Sequence, residues 1–406
     1  MVITLENYRG IVDDAVITEI YRKARRLYNK RILNINSTFQ GGGVAEMLTT
    51  LVPLMNDVGI DAGWRILHAN EDFFGVTKKI HNALQGDKIR LTEHKKDLYF
   101  QTNENFSVYT HIQHDIVVIH DPQPLPLIKF YKKRQPWVWR CHVDLSNPNE
   151  EICDFLKPLI LRYDVMIVSH ENYKRKELPI EQKVFYPAID PLSVKNRDFP
   201  EEEFDNFLKK FVPDLHKKPF ILQVSRFDKW KDPEGVIEVW KLVKEEFDVR
   251  LILCGSMATD DPEGWHIFGR IERKYSKLIE SGDLVLINIE NNFLVNALQR
   301  RAAVVIQKSL REGFGLTVTE ALWKGKPVVA SNVGGIPLQI KDGYNGFLLD
   351  PTDIEGFASR IIELLRNPEM AEVMGKRGKE LVREKFLITR LLSNYMDLFT
   401  ELLGCG

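Results

Sequence analysis

Two glutamates, Glu312 and Glu320, stand with seven residues between them in Ser309-Leu310-Arg311-Glu312-Gly313-Phe314-Gly315-Leu316-Thr317-Val318-Thr319-Glu320-Ala321. The apolar run 302–306 reads as a short buried strand, and residues 321–325 as the body and stop of a helix. Strand, glycine turn and helix in that order set backbone amides and a positive helix end at the carboxyl edge of a sheet. An anion belongs there. Carboxylates at such a place need a different partner, and sugar or ribose hydroxyls supply one. Glu312 falls in the turn, and Glu320 roughly a turn and a half into the helix.

Arg226 and Lys231 lie beyond the apolar run 220–224, ahead of a helix that starts near Pro233. A guanidinium fork and an ammonium point charge so placed can clamp a diphosphate. Taken alone they read equally well as a solvated charged loop. Glu312 to Thr317 on the same edge tips the reading toward the clamp.

A triple glycine, Gly41-Gly42-Gly43, follows the first strand of the chain. It lets backbone approach a ligand and offers amides to an oxyanion. Val44-Ala45-Glu46 breaks the GxGxxG spacing, and Leu67 stands where a ribose-binding acid would close the next strand. A dinucleotide site is therefore disfavoured. His142, in Arg140-Cys141-His142-Val143-Asp144, follows a strand at 137–141 and is a candidate to donate a hydrogen bond to a hydroxyl or leaving group, or to hold a substrate sugar, with Asp144 near enough to orient it or share the sugar. His120-Asp121 forms a similar, weaker pair. Asn36, Gln40, Glu46 and Asp144 complete the polar set expected around a small acceptor.

These residues need sheets to hold them. Strands are expected at 31–36, 62–67, 116–120, 137–141 and 164–168, alternating with helices at 44–57, 71–84, 90–108, 125–132 and 149–160. After a charged, proline-punctuated helical stretch at 196–217, strands at 220–224, 249–254, 283–287, 302–306 and 327–330 repeat the alternation. A short helix at 336–341, a hairpin-like turn at 343–348 and helices at 353–366, 368–381 and 386–402 close the chain. The fold class is α/β with parallel sheets, in two doubly wound domains.

With 406 residues the chain exceeds one ordinary core. The net charge of -1 and the absence of a basic tail argue against nucleic acid as a partner. Four cysteines without a CxxC pair point to a reducing compartment and against structural zinc. No run long enough for a membrane span and no leader pattern are seen, so a cytoplasmic protein away from the membrane is expected. Asp-x-Asp, GxSxG, Walker and HExxH patterns are absent, so no metal site is expected and cations must neutralise any departing phosphate.

The pair Glu312 and Glu320, with the Gly-Phe-Gly insert between them, resembles the E-x7-E signature of the GT4 family of retaining glycosyltransferases. The resemblance extends through the glycine loop, His142, Arg226, Lys231 and Gly334-Gly335, in family order. It implies the GT-B fold, two facing Rossmann-like domains with the last helix crossing back to the first. The domains would be 1–210 with the returning 386–406, and 211–385. It further implies roles: Glu312 near the anomeric centre of the donor sugar, Glu320 on the ribose, and Arg226 with Lys231 on the diphosphate. The turn Phe314-Gly315 and the amides of Leu316 and Thr317 would cover the distal phosphate, Gly42 and Gly43 would approach the donor, and His142 its 6-hydroxyl.

Within the family, residues 140–148 and 36–46 are similar to enzymes that pass glucose from a nucleoside diphosphate glucose to free glucose, reversibly, giving α,α-trehalose. The resemblance implies a nucleoside diphosphate glucose donor, ADP- and UDP-glucose being the first to try with the base left open. No tightly bound cofactor is expected, magnesium at most as a stimulant, and a homodimer is the common default for a chain of this kind. The alternative is another enzyme of the same architecture with a sugar-phosphate or other small acceptor, as in sucrose- or sugar-phosphate synthases, for which Lys132, Lys133, Arg134 and Arg140 are the basic candidates, or a glycogen-type or lipid-sugar transferase. A non-catalytic nucleotide- or sugar-binding protein is disfavoured by the pairing of Glu312, Glu320, Arg226 and Lys231. Base preference would rest on 288–292.

Overall fold

Runs such as Ile116-Val117-Val118-Ile119 and Phe220-Ile221-Leu222 carry no polar face, the pattern of parallel strands buried on both sides. A computed structural model describes residues 3–39, 42–212, 214, 217–255 and 262–405, and the chain divides into two units, Met1–Ala188 with Ile388–Gly406, and Ile189–Leu387.

Unit 1 holds a six-stranded parallel sheet of β1 (Arg31–Asn36), β2 (Asp61–Ile66), β3 (Ile116–His120), β4 (Trp137–Arg140), β5 (Val165–Val168) and β6 (Glu181–Val184), in the order β2-β1-β3-β4-β5-β6. The order reverses between β1 and β3, and crevices at carboxyl strand ends form at such points. Leu33, Ile35, Val117, Ile119, Trp137 and Trp139 belong to its core. The last helix, Ile388–Leu403, belongs to this unit: Lys23 Nζ reaches Asp397 Oδ2 at 2.6 Å, and the Phe185 and Tyr395 rings meet edge to face at 5.3 Å.

Unit 2 holds β7 (Phe220–Val224), β8 (Arg250–Gly255), β9 (Leu284–Asn288), β10 (Val304–Gln307), β11 (Val328–Ser331) and β12 (Phe347–Leu349), all parallel, in the order β12-β11-β10-β7-β8-β9. The reversal lies between β7 and β10. The residues singled out in the sequence follow those two strands.

Several expectations need correction. The boundary falls at 188/189 rather than at 210, because 189–210 is tied to unit 2: Asn296 Nδ2 donates to the carbonyls of Val194 and Arg197, and Arg301 Nε to Asp205 Oδ1 at 2.6 Å. The helix expected at 196–217 is only Glu201–Leu208. The stretches 125–132 and 336–341 form single 3-10 turns, Leu125–Lys129 and Ile336–Leu338, each carrying a proline. The 343–348 turn is no hairpin, since β12 pairs in parallel with β11. Strand β6 and helix Asn292–Arg301, capped by Asn291, were not foreseen.

Candidate functional site

In unit 2 the turn after β10 is built for one conformation. Gly315, at φ +85°, caps helix Leu316–Trp323, and a side chain there would press on Glu312 Cγ at 3.2 Å. Gln339, fully buried, donates to the Phe314 carbonyl at 2.6 Å and accepts from Thr319 Oγ1 at 2.6 Å. Gly335 lies so close that a Cβ would stand 2.8 Å from Phe314 Cα and 3.0 Å from the Gly313 oxygen. The two glycine turns thus touch backbone to backbone. Among the described residues no acceptor meets the amides of Leu316 or Thr317, the open N–H groups that begin a helix. Phe314 is buried against Phe386, ring centroids 5.6 Å apart.

The loop after β7 is fixed as tightly. Asp228 accepts from the Trp230 amide at 2.9 Å and starts the turn Lys229–Lys231, while Arg226 Nη2 lies 3.1 Å from Asp228 Oδ2 with its side chain about half exposed. Gln223 donates to the Lys231 carbonyl at 2.9 Å and accepts from the Lys308 amide at 3.1 Å, joining the two loops. The Leu310 amide donates to the Trp230 carbonyl at 2.7 Å. Lys231 Nζ then meets Glu312 Oε2 at 2.6 Å, and Ser309 Oγ reaches the same oxygen at 3.3 Å. Behind them the buried Lys308 ammonium pairs with Asp232, a left-handed residue that caps helix Pro233–Lys244.

Glu320 is buried in the helix, with Lys195 Nζ 3.7 Å from its Oε1. Lys324 one turn on donates to Asn196 Oδ1 at 2.9 Å, and burial pushes its pKa down to about 7 against the upward pull of Glu320. The 288–292 segment lies at the carboxyl end of β9, with Ile289 exposed.

Unit 1 gathers a second group. His142 follows β4, and its Nε2 is 3.1 Å from Nδ1 of His120, whose Nε2 is 3.1 Å from Asn34 Oδ1. The His142 amide donates to Asp121 Oδ1 at 2.8 Å. Burial, then the Arg140 charge, lowers the His120 pKa to about 3, and the same causes hold His142 well below the ordinary histidine value. Burial raises Asp121 to about 6. Asp144, buried, accepts from the Ser146 amide at 2.8 Å. Asn36 is occupied by Trp64 Nε1 at 2.7 Å and the Thr38 carbonyl at 2.7 Å. Glu46 is exposed in the first turn of helix Gly43–Asp57, which Gly42 begins at φ +88°. Gln40 and Gly41 lie outside the described residues.

Sequence reasoning brought out Glu312, Lys231 and His142 but missed Gln223, Gln307, Ser309, Lys308 and Gln339. A signal existed for the first three: polar residues at or just past the ends of apolar strands, buried and paired, with Gln307 Nε2 on Ser309 Oγ at 3.0 Å and Gln307 Oε1 accepting from Thr317 Oγ1 at 3.1 Å. Of the basic candidates for a phosphate acceptor, Arg140 is buried and donates to the carbonyls of Val168 and Phe185, and Lys133 pairs with Asp164 before β4 and β5, at the amino edge of the sheet.

Comparison with known proteins agrees with this partition. Residues 34–175 match the family described as trehalose synthase, N-terminal domain, and residues 205–381 match glycosyl transferases group 1. A trehalose synthase of Thermococcus litoralis is 49% identical over 98% of this chain and 97% of its own. A sucrose-phosphate synthase from Thermosynechococcus elongatus superposes with a TM-score of 0.74 at 18% identity, covering 93% of this chain and 100% of that one. An E. coli trehalose-6-phosphate protein, solved with UDP-2-fluoro glucose bound, gives 0.72 at 14% identity over 92% and 99%.

Proposed function

The chain belongs to the trehalose synthases, glycosyltransferases of GT-B fold, and from that premise we propose that it transfers glucose from a nucleoside diphosphate glucose to free glucose, giving α,α-trehalose and the nucleoside diphosphate. One observation carries the donor half of this reading. The Lys231–Glu312 pair stands at the strand-order reversal of unit 2, next to the open amides of Leu316 and Thr317. A diphosphate takes the amides together with Arg226 and Lys231, and Glu312, relieved of its ammonium, turns to sugar hydroxyls. Glu320 holds the ribose. The donor class is supported by the UDP-sugar in the E. coli relative of the fold.

Retention follows when the acceptor attacks from the leaving-group side. The bond from C1 to the phosphate oxygen breaks, the bond from C1 to the acceptor oxygen forms, and the acceptor proton passes to the departing phosphate oxygen. Arg226 and Lys231 stabilise the charge that builds there. In this reading a bound metal is not required, and chelator should leave turnover in place. His142, Asp144 and the glycine start of helix Gly43–Asp57 are the sugar-side residues of unit 1. Free glucose is favoured over a sugar phosphate because, of the four basic candidates, Arg140 and Lys133 are already committed within unit 1, and Lys132 and Arg134 precede β4, at the amino edge of the sheet.

Product analysis decides it. ADP- or UDP-glucose mixed with glucose should yield a non-reducing disaccharide with two α-anomeric protons. Transfer only to glucose 6-phosphate, or release of glucose alone, would remove the acceptor assignment.

A further inference from the structure

Asn34, His120 and His142 form a chain of polar contacts that runs from within β1, through the buried end of β3, to a partly exposed ring beyond β4. A neutral imidazole has one donor and one acceptor nitrogen, so a chain of two rings has a direction. The far end sets that direction. Asn34 turns Nδ2 toward the Gly63 carbonyl at 3.5 Å, which leaves Oδ1 for His120. An oxygen there accepts, so His120 carries its proton on Nε2 and presents a bare Nδ1. The bare Nδ1 in turn accepts from His142 Nε2 at 3.1 Å. The reverse direction would need the Asn34 amide inverted, oxygen facing the Gly63 carbonyl oxygen.

We infer that His142 is held as the neutral tautomer protonated on Nε2, that Asn34 and His120 are the positioning residues that hold it so, and that His142 meets a sugar hydroxyl as a hydrogen-bond acceptor through Nδ1. Among the described residues Nδ1 of His142 has no other partner. This reverses the donor role expected from the sequence, and it rests on the reading that unit 1 binds a sugar. Neutrality of both rings agrees with their burial and with the positive charge of Arg140; the carboxyl of Asp121 faces the His142 amide rather than either ring nitrogen. An acceptor selects for a hydroxyl free to donate, which phosphate oxygens and ethers lack.

The ring state is read on the ligand-free protein labelled with 15N-histidine. Long-range proton–nitrogen spectra, assigned by loss of signals in His142→Ala, should show His142 with a protonated Nε2 and a bare Nδ1 near neutral pH. Protonation on Nδ1, or on both nitrogens, overturns the inference whatever the enzyme does. The second arm compares two variants on the full chain. His120→Asn places an amide oxygen where Nδ1 stood and should keep most of kcat. His120→Phe keeps bulk but gives His142 Nε2 no acceptor, and should lose about tenfold in kcat. Equal kcat in the two, with circular dichroism showing both folded, overturns the positioning role. The predicted tautomer together with no transfer to glucose would instead strike the proposed function and leave the tautomer in place.

Discussion

Lys231 Nζ lies 2.6 Å from Glu312 Oε2, so the ammonium assigned to phosphate and the carboxylate assigned to sugar neutralise each other across the ends of β7 and β10. Both are mostly buried, and a charge left alone in such a place is costly. On the proposed function, donor binding exchanges one partner for another. Glu312→Gln frees the ammonium, so nucleoside diphosphate should bind as well as before or tighter, by calorimetry. Turnover should fall by about a hundredfold, since an electrostatic contact to the reacting sugar is lost. A Gln variant that turns over normally removes Glu312 from the chemistry.

Lys231→Ala should act in the opposite sense. It removes the ammonium that offsets Glu312 near the phosphate position and takes one cation from the proposed diphosphate clamp, so the nucleoside diphosphate affinity should drop by more than tenfold, about 1.4 kcal/mol or beyond. The double variant Lys231→Ala with Glu312→Gln should then bind the diphosphate better than Lys231→Ala does. Strict additivity of the two changes would mean the pair is not coupled.

Much of this was legible because parallel strands advertise themselves: Ile116 to Ile119 and Phe220 to Leu222 allow few other readings, and glycine turns follow strands at 41–43 and 313–315. Ligands in folds of this kind bind past the carboxyl ends of strands, so Glu312, Lys231 and His142 could be proposed from position alone, and the structure sets all three just beyond strand ends. What a strand end does not announce is which neighbours share it. Gln223 and Lys308 are 85 residues apart and meet only because β7 pairs with β10. Asn34, His120 and His142 likewise come from three strands. Asn36 shows the converse: its position suggested a ligand contact, and Trp64 occupies it. The boundary at 188 was hidden because the 189–210 segment has little regular structure outside Glu201–Leu208, and its attachment runs through scattered contacts with Phe293, Asn296, Arg301 and Lys324, far away in sequence.

Gly335 is where backbone meets backbone. An alanine Cβ would stand 2.7 Å from Phe314 Cδ2 and 2.8 Å from Phe314 Cα, and main chain cannot step aside as a flexible side chain does. Gly335→Ala should therefore cost about 1–3 kcal/mol of stability and displace the turn that carries Glu312. Thermal melts and kcat should fall together. Gly343→Ala, whose Cβ meets nothing within 4 Å, serves as the contrast: its φ of +70° brings backbone strain but no push on the turn, so kcat should hold.

Gln339 is a buried amide that ties one turn to the other through the carbonyl of Phe314 and the hydroxyl of Thr319. Gln339→Leu fills the space yet strands both partners without hydrogen bonds. Loss of about 2 kcal/mol in urea unfolding is expected. An unchanged midpoint would mean the turn is held by its glycines and Phe314 packing alone.

Lys324 supplies a test in pH. Burial lowers its pKa to about 7, reinforced by the nearby Arg300 and Lys195 and opposed by Glu320 and Asp198. The unfolded lysine titrates near the ordinary value, about 10.4. Between those limits the unfolded chain holds a proton that the folded chain lacks, so stability rises with pH from about 7 toward about 10. Below about 7 both states carry the proton, and the contribution is flat. Lys326, pushed down to about 8 by burial, works in the same direction. Lys324→Met should therefore remove only its own share, at most about 1.4 kcal/mol per pH unit. Urea midpoints of wild type and variant, measured from pH 6 to pH 10, should diverge across that window in favour of the wild type as pH rises. Two parallel curves would mean that Lys324 keeps its proton in the fold, and that the Glu320 carboxylate beside it is balanced by a full charge at working pH.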